Sequence, residues 1–203
     1  MVAAGAPVVS TTDGRRSPGS WAGHAALGLT AVAIFALLHL TNGRLEVGGG
    51  EGWDGGDYGR MLRQGWVAGS IHTKLRPLIV WANAPAFALT HHTVQAFDVM
   101  NFGYTLVLGV MLSLFLERYG AGTATRVIGV ACLAMTNSFR LFAFYPVTPD
   151  LGACAVMAVA LWLLITGPRW AAALACLAAV MAREYAPILL FFGVHRDLRL
   201  RTR

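Results

Sequence analysis

From Trp21 to Leu40 the chain runs twenty residues without an Asp, Glu, Lys or Arg. A segment of that length and character spans ~30 Å of hydrocarbon as a helix, because only a helix satisfies its own backbone polar groups there. Further charge-free windows follow at 77–97, 99–116, 127–139, 151–167, 170–182 and 185–194. Charged residues are 13% of the chain, hydrophobic residues are 56%, and the mean hydropathy is +0.57. A soluble domain carries roughly a quarter charged residues, so this chain cannot cover a water-facing surface. A soluble enzyme, a disordered chain and a disulfide-stapled chain are excluded. The expected fold is all-α, a polytopic transmembrane bundle of about five to six membrane helices. Cys132, Cys154 and Cys176 all lie in apolar stretches without metal or redox spacing, and read as small buried residues.

The formal charge of +6 rests on fifteen Arg and one Lys against ten acids. In such a chain the imbalance speaks about topology and not about nucleic acid. The run 21–40 is too long for the core of a signal peptide and has no small-residue cleavage site after it, so it reads as an uncleaved anchor. Arg15 and Arg16 place the N-terminus in the cytoplasm, and the protein in the cell membrane as a multi-pass chain. Residues 41–98 then fall outside, Arg118 and Arg126 inside, 145–150 outside and Arg169 inside. Residues 170–194 form either one span or a hairpin turning at Arg183–Glu184. The hairpin returns the terminal arginines to the inside. The domain reading is a cytoplasmic tail (1–20), a helical module (21–195) and a basic tail (196–203).

The longest polar stretch, 41–76, holds Gly48-Gly49-Gly50, four acids and five bases. Tyr58, Met61, Leu62 and Trp66 fall on one stripe of a short helix. With Trp53 nearby, that stripe suits a helix lying flat at the outer membrane interface, or equally a capping helix packed on the bundle. Pro77 to Phe97 is charge-free but carries Pro85, Asn83, His91, His92 and Gln95, which predicts a half-buried helix from about Leu78 to Leu89. Asp98 is expected to open the next span, Arg140 to interrupt the one after, and Asp150 to cap the helix over 151–167.

The outer loop reads Gly52-Trp53-Asp54-Gly55-Gly56-Asp57-Tyr58-Gly59-Arg60. A helix places Asp54, Asp57 and Tyr58 on one face. Paired carboxylates there can act as a general base, ligate a metal or accept sugar hydroxyls; they can equally be helix-capping residues. Arg140, Asp150, Arg183 and Glu184 are costly near a membrane unless they face a cleft or one another. The topology puts them on the same side as Asp54 and Asp57. A mixed acid and arginine cleft suits a phosphate-bearing or sugar-bearing ligand. The alternative is a structural ion pair, Arg183–Glu184 or Arg140–Asp150. His72 is a further cleft residue. His24, His39, His91 and His92 lack ligand spacing, and the chain has no phosphate loop, nucleophile elbow or zinc motif.

Asp54-Gly55-Gly56-Asp57-Tyr58, Arg76-Pro77-Leu78, Tyr145-Pro146…Asp150 and Arg183-Glu184 together resemble the GT-C class of membrane glycosyltransferases, which use polyprenyl-phosphate sugars. The resemblance implies a many-helix bundle with an outer-face active site, and a chain corresponding to the N-terminal helical module of that class. It implies Asp54 as the base, Asp57 and Asp150 as second acids, and Arg76, Arg140 and Arg183 on the lipid phosphate; Tyr58, His72 and Glu184 are further candidates for binding substrate in the cleft. The implied partners are membrane lipid and a polyprenyl-phosphate sugar, which is the donor substrate and not a resident cofactor. Metal dependence stays open. The other class of reading is a non-catalytic membrane subunit, a lipid-binding scaffold or a small transporter. No internal repeat supports a transporter.

Overall fold

The structure, a computed structural model, describes residues 20–189; the expected N-terminal tail and basic C-terminal tail lie outside the described residues. Those residues form nine α-helices and one short 3-10 turn at Trp66–Ala68, with no strand among them.

α1 (Trp21–Thr41) starts where Ser20 accepts the Gly23 N–H at 3.2 Å, so the last polar residue of the tail caps the helix. α5 (Thr93–Arg118) is the longest helix, at ~39 Å. These two are long and apolar enough to cross a membrane. A third span exists if α6 (Thr123–Ala134) and α7 (Asn137–Phe144), bent by 48°, count as one. α4 (Pro77–Thr90), α8 (Asp150–Thr166) and α9 (Arg169–Ala182) are apolar but shorter.

Two expected boundaries move. α5 starts at Thr93 and not after Asp98, because the two-residue link His91–His92 turns the chain directly into it. His91 takes a left-handed conformation, φ 53°, and its N–H closes on Phe87 O at 2.8 Å. The break in the 127–144 segment falls at Met135–Thr136, not at Arg140, which lies within α7. There the Thr136 hydroxyl turns back onto Leu133 O at 2.9 Å and competes with helix continuation.

α1 and α5 cross closely because both present glycine. A Cβ on Gly109 would lie 2.9 Å from the Gly28 Cα, and one on Gly28 would lie 2.7 Å from Val110. Small residues let apolar helices approach when lipid supplies no hydrophobic drive between them. At one end of this pair His24, 2% exposed, meets Ser113 at 2.8 Å and Glu117 at 3.0 Å; Arg126 of α6 reaches Glu117 at 3.4 Å. α8 and α9 pack through Ala160, Cys176 and Ala179. The outward side chains, among them Leu37, Trp81, Leu89, Leu174 and Leu177, are apolar and exposed.

α2 (Gly52–Gln64) closes the other end. Of the two arrangements expected for it, the helix packed on the bundle is the one observed. Its apolar stripe turns inward, with Tyr58 0% and Met61 2% exposed, onto Ile79, Val80, Val94, Phe97, Val147, Ala153 and Ala182. The deciding contact is steric. A Cβ on Gly55 would sit 2.8 Å from the Val147 side chain, so glycine lets the helix seat against the 145–149 segment. Exposed apolar side chains remain at Trp53 on α2 and continue just beyond it, at Val67 and at Ile71 and Leu75 around α3 (Ile71–Lys74).

Candidate functional site

Six elements meet at the end that α2 closes. The ends of α1 and α7 and the starts of α5 and α8 all arrive there: Leu45 N–H bonds Phe144 O at 2.9 Å, and Arg44 bonds Asp98 at 3.1 Å. α4 starts beside them with Pro77 at its first position, so Arg76 sits at the helix entrance. α9 stops at Ala182, and Arg183 is extended, with φ −158° and ψ 136°. An extended residue sends successive side chains to opposite sides, and Arg183 and Glu184 accordingly find different partners.

Arg76 holds Glu184 through two hydrogen bonds, Nε to Oε2 at 2.9 Å and Nη2 to Oε1 at 2.6 Å. Its Nη1 donates to the buried Tyr58 hydroxyl at 2.9 Å. Arg183 meets Asp150 at 2.7 Å and lies over the Tyr185 ring, 5.6 Å from its centroid. Asp150 and Arg183 are both close enough to Tyr58 to act on its hydroxyl, so the two pairs form one cluster. Neither ion pair expected from sequence proximity forms: Arg183 pairs with Asp150, not Glu184, and Arg140 does not pair with Asp150. Arg183–Glu184 fails because the chain leaves α9 through an extended Arg183 and turns at Glu184, which sends the two side chains apart. Arg140 is exposed on α7 and forms no ion pair among the described residues.

The electrostatics follow from these contacts. The Arg76 guanidinium holds the Glu184 carboxyl down to about 2, and Glu184 pushes the Arg76 pKa further up. Burial raises the Tyr58 hydroxyl, against the pull of Arg76, so the phenol stays protonated. Burial likewise raises Tyr145.

Tyr145 ties the acidic helix to the cluster. Its hydroxyl accepts the Gly55 N–H at 3.1 Å, and its ring stacks edge-on against Trp53. Gly52, at φ +71°, leaves no room for a Cβ beside that ring. Both Asp54 and Asp150 act electrostatically on the Tyr145 hydroxyl. Asp54 is exposed and forms no ion pair among the described residues, whereas Asp57 is paired with Arg60 on its own helix. His72, exposed on α3, stands apart from these contacts.

The structure therefore gathers Tyr58, Arg76, Asp150, Arg183 and Glu184, with Asp54 at their edge, and leaves Asp57, His72 and Arg140 aside. Two groups in the cluster have unspent capacity: the Asp54 carboxylate, and the Arg183 Nε, which is buried without a hydrogen-bond partner. Among the described residues no three His, Cys, Asp or Glu side chains gather as a metal site. Tyr145 carried a weak sequence signal, since an aromatic before Pro at a polar break is common; its role depends on docking against Gly52 and Gly55.

No protein-family model, curated protein or solved structure matches this chain. The reading of the cluster therefore rests on its own chemistry. Two arginines held by carboxylates, with an exposed carboxylate linked to them through Tyr145, on a bundle with apolar outer walls, suit a ligand that is part lipid, part phosphate and part hydroxylated.

Proposed function

We propose that this chain is the helical module of a membrane glycosyltransferase that takes a sugar from a polyprenyl-phosphate donor and passes it to a cell-envelope acceptor, at the end of the bundle that faces outward. The observation that supports this most directly is the convergence of Arg76, Arg183, Asp150 and Tyr58 from four separate segments, with the exposed Asp54 tied to Asp150 through the Tyr145 hydroxyl on which both act. In this reading Asp54 accepts the proton of the attacking acceptor hydroxyl, and the accessible part of the Arg183 guanidinium binds the departing lipid phosphate. Asp150 orients Arg183, and Tyr58 and Glu184 fix Arg76. A positioned carboxylate base supplies about 10²–10⁴-fold in rate.

A second reading has a specific observation in its favour. Each arginine of the cluster already carries a carboxylate, which is what a purely structural network in a non-catalytic membrane subunit or lipid scaffold shows.

Asp54→Asn separates the two, because Asp54 is exposed and holds no ion pair that the fold needs. Membrane levels are matched by immunoblot and the envelope glycan is profiled. The transferase reading expects loss of one glycan species with normal protein level. An unchanged glycan in a strain without another copy removes the catalytic role of Asp54 and leaves the structural reading.

A further inference from the structure

A cavity of about 330 Å³ lies beside the cluster, lined by Arg44, Leu45, Glu46, His92, Val94 and Pro146. It stands on the far side of the Tyr145–Pro146 segment: Pro146 lines it, while Tyr145 faces Gly55. Three of these six side chains ionise, and the guanidinium of Arg44 is held from behind. Its Nη2 is 3.1 Å from Asp98 Oδ2 and in hydrogen-bond contact with His39 Nε2. His39 Nε2 in turn lies 3.8 Å from the same Asp98 oxygen.

A guanidinium can only donate, so the His39 Nε2 facing it must offer a lone pair. This arrangement therefore requires neutral His39 with its proton on Nδ1. A second proton on Nε2 ends the contact with Arg44 and turns His39 into a donor toward Asp98. Two cations then compete for one carboxylate. His39 is the one that stays: its side chain is 12% exposed, and its ring packs against Phe35 and Phe102. Arg44 is 49% exposed on the loop after α1 and already lines the cavity.

The remaining charges reinforce the exchange. His92 lies near enough to Asp98 and Glu51 to act on both. Glu51 is neutralised by Arg63. Glu46 on the rim opposes an anion. With both histidines neutral, Arg44, Asp98 and Glu46 leave the cavity net negative. With His39 and His92 protonated the same groups sum to net positive.

We propose that this cavity is an oxyanion site, for a sulfate-like or phosphoryl group, that becomes competent when protonated His39 takes Asp98 from Arg44 and frees the guanidinium. This stands independently of the glycosyl-transfer reading, since none of its residues belongs to the Arg76–Arg183 cluster.

Sulfate is the probe, because its charge does not change in the relevant range. The full chain is reconstituted in phosphatidylcholine nanodiscs and titrated with sulfate by calorimetry at about pH 7.5 and about pH 5.5. Binding at least about tenfold tighter at the lower pH is expected, as is its loss in Arg44→Gln. Measured in a His92→Gln background to remove that second titrating group, His39→Gln should be weak at both pH values. In the same background Asp98→Asn should bind more tightly than its parent at the higher pH, because the charged one of Arg44's two holders is gone and only neutral His39 remains. That gain of binding cannot come from misfolding. Equal wild-type affinity at the two pH values overturns the proposal. So does a pH dependence that survives His39→Gln, or an Asp98→Asn variant that stays weak at neutral pH. Repeating the acidic titration in nanodiscs containing phosphatidylglycerol identifies the source of the anion. Weaker apparent sulfate binding there indicates a lipid phosphate in the cavity; unchanged binding indicates a soluble anion.

Discussion

Arg183 and Asp150, at the end of one helix and the start of another, meet at 2.7 Å and join α9 to α8 at the end that carries the candidate site. The contact closes an interface whose remainder is apolar, with alanine, Cys176 and larger aliphatic side chains. Removing one partner leaves a partly buried charge. Asp150→Ala and Arg183→Ala should each cost about 1–3 kcal/mol. The double substitution should cost less than the sum, and thermal unfolding of the four proteins in one detergent measures the difference.

Acid should loosen the Arg76–Glu184 link. Glu184 has a depressed pKa, so its contribution is fully present above the ordinary carboxyl value and is lost as pH falls toward about 2. Because the carboxylate is 51% exposed, salt should weaken the effect. Tryptophan fluorescence followed from neutral to strongly acidic pH should show a transition in that window, and Glu184→Gln should remove this component at all salt concentrations.

Tyr58 should matter twice. Tyr58→Phe removes the acceptor of Arg76 Nη1 and should cost about 1–2 kcal/mol with α2 still docked. Tyr58→Ala leaves a cavity under α2 and should cost about 3–5 kcal/mol. Unfolding midpoints, with limited proteolysis of the loop after Gln64, separate the two. Equal effects would mean that α2 is held by its other contacts.

Two glycines of α5 should respond in opposite ways. Gly109→Val drives a side chain into Gly28 and Ala31 and should destabilise by at least about 1–3 kcal/mol. Gly103→Ala meets nothing within 4 Å and should be neutral or stabilising by up to about 1 kcal/mol. Melting temperatures at matched detergent concentration test the pair.

Much of the fold was legible because it is local. A charge-free window, a proline at a helix start and a polar break are properties of neighbouring residues, and α1, α4, α8 and α9 begin and end within a few positions of where such signals fall. That Asp54 and Tyr58 would share one helix was equally legible, as was the break at Arg183–Glu184. Partner choice was not. Sequence proximity suggested Arg183–Glu184, but an extended backbone turns adjacent side chains apart, and only the packing of α8, α9 and α4 delivers Asp150 to one and Arg76 to the other. The direction faced by α2 was likewise undecidable from its apolar stripe, which suits a lipid surface as well as a bundle. Gly55 against Val147 and Gly52 against Tyr145 decided it, because close approach is a property of two surfaces and a sequence shows only one at a time.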